Sequence, residues 1–420
     1  MIGGVLRRPI SLTVALCAAA GACFLPGRAL AVTPPQLSVR SAILVDQDTG
    51  QKLYGDNANE ELPIASTTKL MTALLTLEHA RLDQVFTQND YEPAAVDSQI
   101  GLVPGERMSV HDLLLALLLP SADDAAEDLA YNIGHGSVAR FIGMMNARAR
   151  ALGLDHTHYS TPAGLDTQGN YSSASDLVKL ARYLLAHHPF FARVVALPSA
   201  VLRTGDHVRY VVSTNDLVGK VPWINGVKTG HTLDAGYVLV GSGHKDGMTL
   251  ISAVLGTSSE SARDANTLAL LNYGFANFHL VTPVRAGSVR ARPTVRYRAG
   301  VRADVIAAST FRQVVSRSTR LTTRVEVPHQ LAGPLRSHAV VGTLLVLADG
   351  RTMARIPLLL ASALPAVSPL TIAAGFITQP LMLLLLVAVL GIGITVIVRT
   401  RIRTRTRARA RANRVRREAA

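Results

Sequence analysis

Alternation of hydrophobic and polar positions divides the chain into short strands and longer helices. The runs Ser41–Asp46 and Gln51–Tyr54 flank Asp48-Thr49-Gly50, and this turn chemistry predicts a hairpin. Apolar residues at helical spacing predict one helix over Thr67–His79 and another over Val110–Leu119, which ends at a proline.

A second hairpin is predicted nearer the middle of the chain. The apolar runs Gly236–Gly243 and Met248–Gly256 surround the turn Lys245-Asp246-Gly247. Helices are predicted before it, over Ala174–Ala186, and after it, over about Ser259–Phe278. Strands at both ends with helices between them favour an antiparallel sheet whose first strand pairs with its last ones. We assign residues 36–279 to this domain.

The pattern changes at Pro283, after which short β-rich runs alternate with turns. Residues 280–360 are therefore predicted to form a small all-β domain. This region contains no constellation of catalytic residues, so we favour a spacer over a binding role. Residues 361–376, rich in Ala, Leu and Pro, are predicted to be a linker. The β-rich runs are Ser288–Tyr297, Val301–Ala307, Arg312–Val315, Leu321–Val327, Val340–Leu347 and Thr352–Leu358.

The first 31 residues have the pattern of a secretory signal peptide. Arg7 and Arg8 precede an apolar run over residues 10–22, and Ala29-Leu30-Ala31 supplies a small-x-small cleavage site. A retained membrane anchor is the alternative; lipidation at Cys23 is disfavoured by the residues before it. Both cysteines, Cys17 and Cys23, lie in this segment, so the mature chain would have no thiol chemistry and no disulfide.

The C-terminal end has the pattern of a transmembrane helix followed by a basic tail. Residues 381–398 carry no charge and would span about 27 Å as a helix, so residues 377–398 suffice to cross a bilayer core of about 30 Å. A buried core helix is disfavoured because the Arg-rich tail, residues 399–420, follows immediately. The positive-inside rule places that tail in the cytoplasm, as a solvated arm near anionic lipid, and the folded body outside.

The net charge of +14 does not indicate a nucleic-acid partner. The tail contributes +9 and the first 31 residues +3, which leaves +2 for everything between. The folded body as a whole is thus close to neutral, and electrostatic attraction to a nucleic acid is not predicted.

Three short motifs carry the candidate chemistry: Ser66-Thr67-Thr68-Lys69, Ser121-Ala122-Asp123 and Lys228-Thr229-Gly230. A serine hydroxyl needs an adjacent base to act as a nucleophile. One helical turn after Ser66 places Lys69 on the same face and within reach of its hydroxyl. An isolated match would be better explained by Ser66 as a helix N-cap, but the three motifs in this order are typical of serine penicillin-binding proteins and β-lactamases.

The sequence around the motifs resembles that of the D-alanyl-D-alanine carboxypeptidases, low-molecular-weight penicillin-binding proteins of peptidase family S11. The resemblance covers roughly residues 36–360. It implies an α+β fold: a penicillin-binding/β-lactamase-like antiparallel sheet with helices on both faces and an all-helical subregion, followed by the small all-β domain and one C-terminal transmembrane helix. It is carried by Leu62–Leu75, Gly101–Glu106, Thr161–Asp166, Ile224–Thr232, Ala235-Gly236-Tyr237 and Leu331–Leu335.

The resemblance also implies a role for each motif residue. Ser66 is the nucleophile, Lys69 its base, and Ser121 relays the proton to the leaving amine. Lys228 and Thr229 bind the substrate's terminal carboxylate. The oxyanion is held by the backbone amides of Ser66 and His231, with no role for the His231 ring.

Two further positions concern substrate binding. Gly230 is expected to leave room for substrate backbone against the strand edge. Arg263, beyond the second hairpin, is either a helper in carboxylate binding or a surface helix residue. Neither a cofactor nor a metal is expected, since the histidines have no metal-ligand spacing.

Asp123 departs from the family pattern, which has Asn at this position. Ionised Asp only accepts hydrogen bonds, and a carboxylate beside Lys69 favours the charged lysine, which is the inactive form of the base. Reduced activity, a changed pH optimum, and a protonated Asp123 that mimics Asn all remain open from the sequence.

The predicted function is removal of the terminal D-alanine from peptidoglycan stem pentapeptides, with β-lactam antibiotics as acylating inhibitors. The alternatives are a D-alanyl endopeptidase and, because of Asp123, a penicillin-binding but weakly active wall-organising protein. A class A β-lactamase is disfavoured because residues 160–170 hold no Glu to activate the deacylating water.

Overall fold

A computed structural model describes residues 33–298, 300–369, 372 and 380–418. The predicted signal peptide, its two cysteines and the first residues of the predicted span, 377–379, lie outside this range. The helices are α1 Lys69–His79, α2 Val110–Leu118, α3 Asp123–Ile133, α4 Val138–Ala151, α5 Ala174–His187, α6 Pro189–Val194, α7 Glu260–Asn277 and α8 Pro380–Glu418. The strands are β1 Ser41–Asp46, β2 Lys52–Asp56, β3 Val85–Thr87, β4 Arg107–Ser109, β5 Ser199–Leu202, β6 Arg209–Val212, β7 Ile224–Thr232, β8 Gly236–Lys245, β9 Met248–Thr257, β10 Phe278–Val284, β11 Val289–Ala291, β12 Thr294–Val295, β13 Val305–Ala307, β14 Phe311–Ser316, β15 Leu321–Glu326, β16 Gln330–Leu331, β17 Val340–Ala348 and β18 Arg351–Leu360.

A five-stranded antiparallel sheet in the order β2-β1-β9-β8-β7 organises the first part of the chain. Both predicted hairpins are present in it, and the first strand pairs with a late one: Ala42 lies opposite Val254. All six residues of β1 are buried because helices cover both faces of the sheet. Strand β7, which carries the third motif, lies at the edge of the sheet.

The two faces of the sheet belong to different cores. Ala42 and Leu44 pack in one core with Leu270 and Phe275 of α7. The alternate residues Ile43 and Val45 pack in a larger core built mainly from α1 to α5. The predicted α+β class, with helices on both faces and an all-helical subregion, is confirmed.

The predicted all-β region is also present. Its main sheet has the order β11-β13-β18-β17-β15, and β12 and β16 form a short parallel pair beside it. Strand β10 begins at Phe278, directly after α7, and pairs with β14, whose Val314 belongs to the core shared with α7. The boundary assigned at residue 279 therefore falls within a strand.

The C-terminal apolar segment is one long helix, α8. Within its span-length stretch, Leu383–Asn413, the most apolar 18 residues have a mean hydropathy of 2.5, and none of these residues is buried. This contradicts the buried-core alternative. The helix does not stop at Val398 but continues through the tail to Glu418, so the predicted arm is helical. Arg has high helix propensity, and Thr400 and Thr404 bond back to carbonyls one turn earlier.

Candidate active site

Ser66 lies on a single 3₁₀ turn, Ala65–Thr68, that leads into α1. The turn is held by Thr67, whose Oγ1 donates to the Ile64 carbonyl at 2.6 Å. Ala65 and Thr67 are buried, whereas Ser66 is half-buried, so its hydroxyl stays accessible. Neither the turn nor α1 has a side-chain N-cap, so the N-cap explanation of Ser66 is wrong.

Lys69, the first residue of α1, lies beneath the Ser66 hydroxyl and is fully buried. Its Nζ lies 2.8 Å from Ser66 Oγ, 2.5 Å from Asp123 Oδ1 and 2.8 Å from the Ala163 carbonyl oxygen. An ammonium donates to all three acceptors. A neutral amine donates to Asp123 and Ala163 and presents its lone pair to Ser66. The same geometry therefore accommodates both the protonated and the neutral amine.

Burial lowers the pKa of Lys69 below its ordinary value, and the Asp123 carboxylate opposes this shift. Burial also lowers the pKa of Lys228 well below its ordinary value; the positive charges of Lys69 and Arg263 add to this effect, and Asp123 again opposes it. Two buried lysines thus share one buried carboxylate, an arrangement that favours a neutral amine at one of them.

The second motif connects α2 to α3. Ser121 adopts the left-handed region with φ of 67°, and the Asp123 backbone N–H donates to the Ser98 carbonyl at 2.6 Å. The Ser121 hydroxyl is buried and has no hydrogen-bond partner in the described part of the chain. The Lys69 amine instead contacts Ser66, Asp123 and Ala163.

The third motif lies on β7, against the 3₁₀ turn Ala65–Thr68. We call this turn the nucleophile turn because it carries the candidate nucleophile Ser66. Lys228 and Thr229 are buried; the Lys228 ammonium donates to the Thr229 carbonyl at 3.1 Å. A Cβ at Gly230 would meet the Ile64 carbonyl at 3.0 Å and the Ser66 nitrogen at 3.1 Å. The turn that carries Ser66 thus leaves little room for a side chain at this position; the expected clearance for substrate backbone stays a prediction. His231 is exposed, and its ring stacks on Tyr237 with a centroid separation of 4.0 Å.

Arg263 is buried, which contradicts the alternative of a surface helix residue. Its guanidinium bonds two carboxylates of its own helix, Asp264 at 2.8 Å and Glu260 at 3.0 Å. It is close enough to Lys228 to lower the pKa of that lysine. It therefore adds positive charge beside the third motif while its own charge is balanced from α7.

Several residues of the site were not identified from the sequence. Ala163 contributes its main-chain carbonyl, which a pattern of side chains cannot predict. The segment around it, Thr161–Asp166, was identified only as part of the family resemblance. Gly164, with φ of 94°, allows that segment to pack on the turn, since a Cβ there would lie 2.0 Å from the Ala65 carbonyl oxygen. Thr214 bonds the Thr229 hydroxyl at 2.6 Å. Glu127, one turn after Asp123, has its pKa raised to about 7 by burial and by the Asp123 charge.

Among the described residues, no three His, Cys, Asp or Glu side chains are grouped so as to hold a metal ion.

Comparison with known proteins identifies the family. The profile of the D-alanyl-D-alanine carboxypeptidases, peptidase family S11, matches residues 28–259, more than half of the chain. The D-alanyl-D-alanine carboxypeptidase DacA of Escherichia coli (strain K12) is 31% identical over 378 residues, which cover 86% of this chain and 93% of the relative. DacF of Bacillus subtilis (strain 168) is 29% identical over 326 residues, 76% of this chain and 84% of the relative.

Solved structures agree with the sequence comparisons. Penicillin binding protein 5 from Haemophilus influenzae matches with a TM-score of 0.66 and 27% identity, covering 80% of this chain and 99% of that one. The Streptomyces K15 DD-transpeptidase matches with a TM-score of 0.56 and 35% identity, covering 58% of this chain and all of that one. With the Ser66–Lys69 geometry, these matches show that the chain belongs to the D-alanyl-D-alanine carboxypeptidases of family S11, enzymes of the serine type.

Proposed function

We propose that this carboxypeptidase removes the terminal D-alanine from peptidoglycan stem pentapeptides through an acyl-enzyme on Ser66. The observation that carries the proposal is the 2.8 Å contact of Ser66 Oγ with a fully buried lysine amine. The names of the relatives favour the carboxypeptidase over an endopeptidase or a weakly active wall-organising protein.

In the acylation step, neutral Lys69 takes the Ser66 proton while Oγ attacks the carbonyl carbon of the penultimate D-alanine. The backbone amides of Ser66 and His231 are assigned to the developing oxyanion, where each donor is typically worth about 3–4 kcal/mol. The closeness of Gly230 to the Ser66 nitrogen supports this pairing, because it places β7 directly against the nucleophile turn.

Collapse of the tetrahedral intermediate requires a proton on the leaving D-alanine nitrogen. Lys69, now an ammonium, supplies it, and the buried, unpartnered Ser121 hydroxyl is assigned to relay it. Water then hydrolyses the ester: its proton passes to neutral Lys69 and back to Ser66 Oγ as the shortened peptide leaves.

Carboxylate binding is assigned to Lys228 and Thr229, with Arg263 as a source of positive charge. Thr214 fixes the Thr229 hydroxyl, which supports a defined orientation for a carboxylate partner. A β-lactam carries a carboxylate and a strained amide, so it would occupy the same positions and acylate Ser66.

We further propose that the enzyme is membrane-anchored by α8, with the signal peptide removed, the catalytic domain outside the cytoplasm and the Arg-rich tail inside. The single span-length apolar helix among the described residues supports anchoring, and the positive-inside rule supports this orientation. The all-β region between the catalytic domain and α8 then acts as a spacer.

The test combines two assays on the purified chain: D-alanine release from a pentapeptide and covalent labelling by fluorescent penicillin. Ser66→Ala should abolish labelling and lower turnover by a factor on the order of 10⁶, whereas the control Ser309→Ala, at an exposed position of the all-β region, should match wild type. Covalent labelling of the Ser66→Ala variant would overturn the assignment.

A further inference from the structure

Charge is strongly segregated along the folded body. Residues 280–360 hold thirteen arginines and no lysine against three acidic residues, a net charge of +10. Residues 36–279 hold 17 basic and 25 acidic residues, a net of −8. The near-neutral total therefore conceals a basic all-β region. A passive spacer does not require such a charge.

Five of these arginines gather where the chain leaves the all-β region. We call this set, Arg292, Arg296, Arg298, Arg302 and Arg336, the exit cluster. Backbone hydrogen bonds tie its loops together: the Arg296 N–H donates to the Leu331 carbonyl at 2.8 Å, and Leu335 and Leu364 exchange bonds of 2.9 and 2.8 Å. Leu364 is thus held beside the cluster just before the chain continues toward α8.

Among the described residues, one carboxylate forms an ion pair with the cluster. Asp304 bonds Arg292 at 2.8 Å, and both side chains are about half exposed. Arg296, Arg302 and Arg336 are exposed as well, so their guanidinium groups can reach a partner outside the chain. Exposed arginines favour planar, multiply charged oxygen ligands such as phosphates, which they bind with two parallel hydrogen bonds.

A cavity of about 310 Å³ opens beside two arginines of this cluster, Arg292 and Arg302. Arg292, Arg302 and His329 contribute its polar lining, and Pro293, Val325 and Val327 its apolar lining. Cationic and apolar groups side by side suit an anionic headgroup attached to a hydrocarbon chain better than a fully hydrated anion. Val301, 43% exposed, adds an apolar side chain close by.

The tether to α8 limits what this surface can meet. Pro380 follows Pro365 by fifteen positions, and a fully extended chain of that length spans about 50 Å. The cluster is therefore held near any bilayer that α8 crosses, at a high effective concentration.

We infer that the exit cluster binds the phosphodiester headgroups of anionic phospholipids in the membrane that α8 spans, so that the all-β region rests on the bilayer surface. The inference rests on the proposed membrane anchor. Each arginine near an anionic surface strengthens attraction about fivefold, so loss of three should weaken docking about a hundredfold.

The experiment uses the full chain in lipid nanodiscs. Cys17→Ser and Cys23→Ser remove the two cysteines, and Val301→Cys carries an environment-sensitive fluorophore. Discs of phosphatidylcholine alone are compared with discs containing about 30% phosphatidylglycerol. The expected result is a blue-shifted, quencher-protected fluorophore only in the anionic discs, reversed in 1 M salt, where the Debye length falls to about 3 Å. The same fluorophore at Val96→Cys, 94% exposed in the catalytic region, should not respond.

A matched pair of variants locates the site. The first variant, which should abolish the response, combines Arg292→Gln, Arg302→Gln and Arg336→Gln. The control variant removes equal charge at three exposed arginines of the same region and should largely preserve the response. It combines Arg320→Gln, Arg351→Gln and Arg355→Gln. Equal losses in both would overturn the assigned site. Penicillin labelling verifies folding in each variant.

Other outcomes would also overturn the inference. One is that inorganic phosphate gives the fluorophore at position 301 the same protection in neutral discs. Another is that the chain is retained by an anionic wall polymer while the fluorophore shows no dependence on lipid charge. Failure of the chain to enter discs, judged by co-elution, would instead refute the anchor on which the inference rests.

Discussion

Replacing Asp123 with Asn should increase acylation at neutral pH. Asp123 Oδ1 lies 2.5 Å from Lys69 Nζ, and neither side chain is more than 6% exposed. Burial lowers the pKa of Lys69 and the carboxylate opposes the shift. Loss of that charge, with the amide oxygen retained as an acceptor, should therefore lower the pKa of Lys69 further and increase the fraction of neutral amine.

The magnitude follows from the electrostatics of the pair. Two unit charges 4 Å apart interact by about 4 kcal/mol at an effective dielectric constant of 20. A tenfold faster acylation at neutral pH requires only about 1.4 kcal/mol of this. We therefore expect a gain of at least tenfold.

The assay is the second-order rate of penicillin acylation between pH 5 and 10. The wild-type rate should rise with pH as Lys69 loses its proton, and the Asp123→Asn variant should show the same rise at lower pH. Asp97→Asn is the graded control, since Asp97 raises the pKa of Lys69 less than Asp123 does. A wild-type rate that falls above neutrality, while the Asn variant stays flat, would refute this reasoning and indicate a protonated Asp123.

Three further predictions concern other parts of the chain. A chain that ends at Leu364 should be soluble in 1 M salt, where binding through the exit cluster is screened, and still labelled by penicillin; its recovery in the membrane fraction at that salt concentration would place the anchor elsewhere. Gly164→Ala should destabilise the nucleophile turn and reduce labelling, because its Cβ would lie 2.0 Å from the Ala65 carbonyl oxygen. Gly153→Ala, with φ of 65° but open space around it, should cost only backbone strain of about 1–3 kcal/mol. Glu127→Gln should stabilise the fold by up to about 3 kcal/mol at pH 8 and little at pH 4. The pKa of Glu127 in the folded state, about 7, exceeds the ordinary value of 4.5, so ionising this carboxyl above pH 7 lowers the stability of the wild type. Denaturant unfolding at both pH values measures this difference.

Local pattern was sufficient for the hairpins, for the three motifs and, to within two residues, for the bounds of α1, α2, α5 and α7, whereas α3, α4 and α6 were not predicted. The helix predicted from Thr67 begins at Lys69, since a 3₁₀ turn precedes it. The pairing of β1 with β9 also followed, because a sheet with strands at both ends of a domain has few ways to close. These features depend on residues close in sequence or on the polarity of whole segments.

Other features depend on contacts that no local pattern encodes. The Ala163 carbonyl that bonds Lys69 is a main-chain atom 94 positions away. No sequence pattern around Thr214 indicates a functional role; this residue belongs to the site only because its loop lies beside β7. The distance from Asp123 to Lys69, on which the prediction for Asp123→Asn depends, is not encoded locally, and the helical tail required the continuous backbone of α8.

The central claim is that Ser66, activated by Lys69, forms the acyl-enzyme. Its most direct test is mass spectrometry of the chain after brief exposure to penicillin, with peptide mapping of the adduct. The account predicts one penicilloyl group per chain, on the peptide containing Ser66, and none after Lys69→Ala in the same interval. An adduct on any other residue, or undiminished labelling of the Lys69→Ala variant, would contradict it.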